Sequence, residues 1–192
     1  MTKIYFFENI QILEGSKSTL ERKAVLIKNG VIKAFGEKAI QKAEILGIKP
    51  QKANNMLLAP CLVDPHSFLE SPFSGKEENI YSLIKKASFA GYGQLGILPR
   101  SNLWRDKIES IISLRGIKSD VLIHLWGGFS LGGNGISLSK HSELLQHGVV
   151  GLSDDDFTPP IELLKQGFSI GEMKNVPVLI ATRDRVVQAE GM

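Results

Sequence analysis

The stretch LLAPCLVDPHSFLE, residues 57–70, decides the fold of this chain. An apolar run rich in strand-forming residues ends here in Asp64-Pro65-His66, which predicts a histidine just where a buried strand ends. In enzymes built on barrels of parallel strands, metal ligands lie at the carboxyl ends of the strands, because these ends open into the active-site mouth. The stretch therefore predicts a strand that ends at His66, in a position typical of metal ligands in such enzymes.

The composition is that of an ordinary folded protein. The 192 residues are 43% hydrophobic and 22% charged, with a net charge of +3, which suits one domain or slightly more. No apolar run is long enough for a membrane span, and Glu8 interrupts the apolar N-terminus where a signal peptide would continue. The single cysteine, Cys61, cannot form an internal disulfide, and the basic residues are scattered. We therefore expect a cytoplasmic protein that binds neither membranes nor nucleic acid.

Two regions with different patterns follow one another along the chain. Residues 1–56 predict a small β segment in which Asn29-Gly30 forms the turn of a hairpin. From residue 57 onward, apolar strands alternate with helices, which predicts a parallel sheet covered by helices. A doubly wound open sheet would give the same period. The later strands are predicted at 94–98, 121–126, 149–152 and 176–180, with helix starts at a capping box in 74–77 and at Thr158-Pro159.

These motifs together resemble the dihydroorotase branch of the amidohydrolase superfamily. In that branch the first barrel strand reads Pro-Gly-hydrophobic-hydrophobic-Asp-x-His-x-His-Leu-Arg, and further similarity lies at 96–101, 149–156 and 176–184. The resemblance implies an α/β fold: the N-terminal part of a (β/α)8 TIM-type barrel, about five βα units in residues 57–192, preceded by a small β-sandwich-like segment in residues 1–56. A complete barrel usually takes about 250 residues. Three explanations stay open: a truncated gene product, a fragment of a longer chain, or a half-barrel completed by a partner.

The resemblance implies metal ligands at His66 and Asp155. Phe68 stands where the family has its second histidine, and Ala181 stands where it has a later one. A catalytic zinc takes three protein ligands and a water, so we expect zinc, the metal implied by the resemblance, to be weakly bound or absent. For the run Asp154-Asp155-Asp156 a second interpretation stays open, in which the acids cap the helix that begins near Pro159.

Substrate recognition is altered as well. The family's arginine, which holds a substrate carboxylate, is replaced by Glu70, and Arg100 stands at the position of the family's asparagine. The resemblance therefore implies Arg100 as the candidate contact to a small anionic substrate, while a solvated loop arginine is the alternative. Of the remaining histidines, His124 is expected to be a hydrogen-bonded core residue. The glycine-rich segment 127–135 lacks the P-loop pattern and is expected to be a loop at the barrel mouth.

The resemblance implies a dihydroorotase-like cyclic amide hydrolase homologue of de novo pyrimidine biosynthesis, in which a metal-bound water attacks the amide. With the ligand set depleted, we expect catalysis by this chain to be impaired. The alternative function is that of a non-catalytic homologue acting as a scaffold for aspartate carbamoyltransferase, or associating with itself. A relict fragment is a third hypothesis.

Overall fold

The computed structural model describes residues 2–15, 20–69, 78–100, 106–155, 158–170 and 175–181. The chain divides into two compact units, Met1–Pro60 and Cys61–Met192. The sequence places this boundary between residues 56 and 57. In the structure Leu57–Leu58 form a strand that pairs with Gln11 and Ile12 of the first unit, so the boundary lies after Pro60.

The first unit is a four-stranded sheet with one helix packed on it. Its strands lie in the order β3-β2-β1-β4, antiparallel except for the parallel β1–β4 pair. The turn between β2 and β3 has positive φ at both Asn29 (53°) and Gly30 (75°), as a type I′ turn requires, which confirms the predicted hairpin. The elements are β1 (Ile4–Ile12), β2 (Glu21–Lys28), β3 (Val31–Phe35), α1 (Glu37–Ile45) and β4 (Leu57–Leu58).

The second unit is a parallel α/β sheet. Its five strands are all parallel and lie in the order β5-β6-β7-β8-β9. This arrangement is a half-barrel, so the predicted fold class, a partial TIM-type barrel, is confirmed. The elements are β5 (Leu62–Phe68), α2 (Ile80–Phe89), β6 (Tyr92–Leu98), α3 (Ile108–Arg115), β7 (Leu122–Gly128), a 3₁₀ turn (Leu131–Gly133), α4 (His141–Gln146), β8 (Gly151–Ser153), α5 (Ile161–Phe168) and β9 (Val178–Leu179).

The apolar stripes of the helices close the core of this unit over the sheet. Ile97 and Leu125 on the strands are buried together with Ile80 of α2 and Ile111 of α3. Each buried aliphatic side chain contributes about 1.5–3 kcal/mol relative to its exposed state. Among the helices of the described ranges, none combines the length and apolarity needed to cross a bilayer.

Two helices begin where the sequence did not place them. The side chain of Asn79 caps α2 and forms a reciprocal capping box with Ser82, while the box predicted at 74–77 lies outside the described residues. The predicted start of α5 at Thr158-Pro159 is wrong, because the helix begins at Ile161 with Pro160 as its N-cap. A residue before a proline is disfavoured in the helical region, so Pro159 cannot continue a helix into Pro160.

The first barrel strand, β5, is more exposed than its apolar sequence predicts. Leu62 is 54% exposed and Val63 is 52% exposed. β5 lies at the end of the described sheet and pairs only with β6 there, so one of its edges and part of its surface remain uncovered. The expectation of a buried strand leading to His66 is therefore wrong for this structure.

Candidate functional site

A β-bulge in β5 sets the position of the Asp-x-His motif. Between the pairs Asp64↔Leu95 and Ser67↔Ile97, two residues of β5 oppose the single residue Gly96 of β6. A Cβ at Gly96 would lie 2.6 Å from the carbonyl oxygen of Pro65, so glycine permits the close approach of the strands. Bulges of this kind are common beside active sites, where they redirect side chains.

The carboxylate of Asp64 stabilises this bulge. It accepts hydrogen bonds from the backbone N–H of His66 (2.9 Å) and from the hydroxyl of Ser67 (2.6 Å). Proline has no N–H to donate to the sheet, so these bonds replace part of the ladder that Pro65 interrupts. The motif therefore has a structural role at the strand end, and His66 itself is exposed.

A tight turn after β6 places Arg100 at the same end of the sheet. The N–H of Arg100 donates to the carbonyl of Leu98 at 2.9 Å, an i→i+2 bond across Pro99. This bond is that of a γ-turn, which is common at strand ends, and the fixed φ of proline is close to the value of the inverse form. The turn holds Arg100 just beyond the carboxyl end of β6.

Asp155 reaches this end of the sheet from β8 in an unusual backbone conformation. Its φ is 60°, in the left-handed region that Asp and Asn tolerate better than most residues. Its N–H donates to the hydroxyl of Ser153 at 2.9 Å, which anchors the conformation. Strained backbone of this kind is found preferentially at functional sites.

Phe68, Arg100 and Asp155 meet in one cluster, which we call the guanidinium cluster. The Nε of Arg100 donates to Oδ2 of Asp155 at 2.5 Å, and a longer contact of 3.4 Å joins Nη2 to Oδ1. The other side of the guanidinium lies over the ring of Phe68, with Cζ 3.4 Å from the ring centroid. The side chain of Asp155 is only 2% exposed and that of Arg100 is 33% exposed. The pair is therefore partly buried, and a cation–π contact supports it.

The structure thus brings together two of the three predicted site residues, Arg100 and Asp155. The third, His66, makes no side-chain hydrogen bond or ion pair within the described ranges. Glu70, at the family's arginine position, lies outside those ranges. Arg100 also differs from the solvated loop arginine considered as its alternative, because its guanidinium is bound to Asp155.

The donor set does not fit a zinc centre. No group of three or more His, Cys, Asp and Glu side chains that could hold a metal exists among the described residues. Phe68 and Ala181 offer carbon atoms where nitrogen donors would be needed. Asp155 already has a cation on its carboxylate. A catalytic zinc requires three protein ligands with an open fourth position, and the described side chains do not provide them.

Asp154, the neighbour of Asp155, has a different role that the sequence did not reveal. Its carboxylate accepts from the N–H of Ser130 (2.8 Å) and from the Ser130 hydroxyl (2.5 Å), and that hydroxyl accepts from the N–H of Gly135. These bonds fasten the glycine-rich segment after β7. The hydrogen bonds described for Asp154 and Asp155 go to Ser130 and Arg100, and the capping interpretation of the acidic run stays a prediction.

The other histidines have structural partners. His124 is hydrogen-bonded to Gln94 at 2.9 Å, as expected for a core histidine. His141 is 3% exposed, and its Nε2 bonds the carbonyl of Phe129 at 2.7 Å. Burial lowers the pKa of His141, against the raising effects of the Phe129 carbonyl and of the Asp154 charge. His141 is therefore a neutral donor that supports the loop held by Asp154.

Comparison with known proteins gives relatives of one kind. The chain is 28% identical over 184 residues to a dihydroorotase of Thermoanaerobacter sp. strain X514, covering 93% of this chain and 41% of the relative. It is 25% identical over 162 residues to a probable dihydroorotase-like protein of Synechocystis sp., covering 72% of this chain and 37% of the relative. No protein-family profile matches the chain. The chain thus spans about two fifths of the length of these curated relatives.

The fold has a counterpart among solved structures. L-hydantoinase (dihydropyrimidinase) from Arthrobacter aurescens superposes with a TM-score of 0.53 at 13% identity, over 78% of this chain and 32% of the hydantoinase. The chain therefore shares the fold of part of this hydantoinase, as a partial barrel would. The sequence similarity to dihydroorotases and this shared fold together support a dihydroorotase-like relationship for the chain.

Proposed function

We propose that this chain is a dihydroorotase homologue of de novo pyrimidine biosynthesis, located in the cytoplasm, that does not itself hydrolyse a cyclic amide. The pathway is proposed from the names of its relatives. The proposed loss of activity rests on the residues at the expected metal-binding positions. Phe68 and Ala181 stand where metal-binding histidines are expected, and neither side chain can bind a metal. Without a metal-activated water the chain lacks a nucleophile strong enough for amide hydrolysis near neutral pH.

The predicted metal ligands, His66 and Asp155, do not support tight zinc binding under this proposal. Two ligands are fewer than a catalytic zinc requires, and the carboxylate of Asp155 is bound to Arg100. We therefore expect zinc to be absent or weakly bound in the purified chain.

We assign recognition of a small anionic ligand to Arg100. About a third of its side chain is exposed at the carboxyl end of the sheet (33%), where ligands of barrel enzymes bind. Because Asp155 carries the opposite charge, the net attraction for an anion is reduced, and we expect weak binding of dihydroorotate or carbamoyl aspartate.

A hydrolysis assay with dihydroorotate on the purified chain tests the proposed function. We expect no turnover above the rate without protein, either in zinc-supplemented buffer or in EDTA. Asp155→Asn is the matched control, because it removes a predicted ligand charge while keeping the size of the side chain. Turnover that requires zinc and disappears in Asp155→Asn would overturn the proposal.

A second candidate function, a scaffold for aspartate carbamoyltransferase or for another copy of the chain, is favoured by the surface of β5. Leu62 and Val63 lie exposed on a strand that has a neighbour on one side only in the described sheet, and unpaired edges pair readily with other chains. We expect the chain to co-elute with aspartate carbamoyltransferase or to dimerise in size-exclusion chromatography. Val63→Lys should weaken that association, and a monomer that ignores the transferase would contradict it.

A further inference from the structure

The carboxylate of Asp155 needs a positive partner, because it is almost completely buried. Its side chain is 2% exposed, and an unpaired buried carboxylate is strongly disfavoured. In metal-dependent hydrolases with an acid at a strand end, bound cations are often the largest local charges. Within the described residues, the cation on Asp155 is Arg100.

The position of Arg100 is determined by the backbone before it. The γ-turn across Pro99 fixes where the side chain starts, and the guanidinium crosses the end of β7 to reach Asp155 beyond β8. This long-range pair joins residues separated by 55 positions, so it depends on the finished sheet. A mobile surface arginine would not have both its backbone fixed by a turn and its guanidinium bound to a buried carboxylate.

Phe68 provides a surface that suits a guanidinium and not a metal ion. A phenyl ring has no lone pair for zinc, but its face attracts a planar cation, and Cζ of Arg100 lies 3.4 Å from the ring centroid. Phe68 thus lacks the nitrogen donor of a histidine, but its ring provides the stacking partner for the guanidinium of Arg100.

We infer that the guanidinium of Arg100 is a built-in cation that neutralises Asp155 in place of a divalent metal. The carboxyl end of this sheet is accordingly assembled without metal, as an ion pair stacked on an aromatic ring. This inference concerns charge and assembly and does not depend on whether the chain hydrolyses dihydroorotate.

A double-mutant cycle in EDTA tests the inference. Arg100→Met, Asp155→Asn and the double variant of the full chain are unfolded with urea. We expect the effects of the single changes on the unfolding equilibrium to be coupled by about tenfold or more. The exposed pair Lys86–Glu78, 2.9 Å apart with side chains 68% and 43% exposed, is the matched control. Its cycle, Lys86→Met with Glu78→Gln, should show coupling of less than about threefold.

Independent effects of Arg100 and Asp155 in this cycle would overturn the inference. So would stabilisation of the wild-type chain by added zinc that is absent in Asp155→Asn. If the single variants do not fold, the Nε–H of Arg100 is followed by NMR in the wild-type chain, with its signal assigned through the bonds that join it to the Arg100 backbone. Slow exchange of this proton in EDTA supports the ion pair, and exchange as fast as in free arginine contradicts it. Hydrolytic activity in the assay above would refute the proposed function alone.

Discussion

Asp154 and Asp155 are adjacent in sequence and both are buried, yet the bonds described for them differ in kind. Asp154, 1% exposed, is held by neutral donors of Ser130 in the loop after the neighbouring strand. Asp155, whose side chain is 2% exposed, is held by the charged guanidinium of Arg100 two strands away. The difference separates two roles at one end of the sheet. One carboxylate fastens a loop, and the other belongs to the position where a metal would be expected.

The largest expected effect comes from removing the cation of Asp155. Arg100→Met leaves that carboxylate buried without its partner, which should lower the free energy of unfolding by about 2–3 kcal/mol. This loss lies below the roughly 3–5 kcal/mol for a fully buried pair, because the arginine side chain is a third exposed (33%) and partly screened by solvent. Urea denaturation measures the change, and Lys86→Met, at an exposed ion pair, should cost less than about 1 kcal/mol. Equal losses of stability in the two variants would contradict the claim that Asp155 depends on its cation more than an exposed carboxylate does.

A smaller effect is expected from the bonds between Asp154 and Ser130. Asp154→Asn removes one acceptor and the charge from the bonds to Ser130, which should cost about 1–2 kcal/mol. The amide protons of Ser130 and Gly135 should then exchange faster with solvent. Asp106→Asn is the control, because the carboxylate of Asp106 also accepts from this loop, at the N–H of Gly132, but in an exposed position. Matching exchange rates in both variants would contradict the anchoring role of Asp154.

The smallest expected effect is a pH dependence of stability, which arises from His141 near Asp154. Burial lowers the pKa of His141 below its ordinary value of 6.5. The unfolded chain therefore takes up a proton first as the pH falls, so the free energy of unfolding is retained above pH 6.5 and declines below it. His141→Gln keeps a donor for the Phe129 carbonyl and removes the titration. Its denaturation midpoints between pH 7 and 5 should fall less steeply than those of the wild type, and parallel slopes would count against this assignment.

The local elements of this fold are largely predictable from the sequence. Asn29-Gly30 sets the β2–β3 hairpin because it tolerates positive φ, and the apolar stripe of α2 follows from its spacing. α1 is missed because its buried face consists of the small residues Ala39 and Ala43, which give a weak hydrophobic pattern. Local periodicity determines the elements but not the exposure of a strand such as β5, which depends on what covers it.

The site is harder to predict, because its contacts are long-range. A family pattern points to Arg100 and Asp155 one at a time, and no local rule pairs residues 55 positions apart. The bond between them follows from strand order, which places both at the carboxyl end of one sheet. The role of Asp154 is not predicted for a related reason. Its partner Ser130 lies in a loop, and no short sequence motif indicates that this loop folds back onto the sheet.

Calorimetric titration of zinc into the metal-free chain tests the central claim most directly. If Arg100 supplies the charge that balances Asp155, the wild type and Asp155→Asn will both bind far less than one zinc per chain and give the same titration curve. Saturable binding of one or more zinc ions by the wild type, lost in Asp155→Asn, would contradict this account.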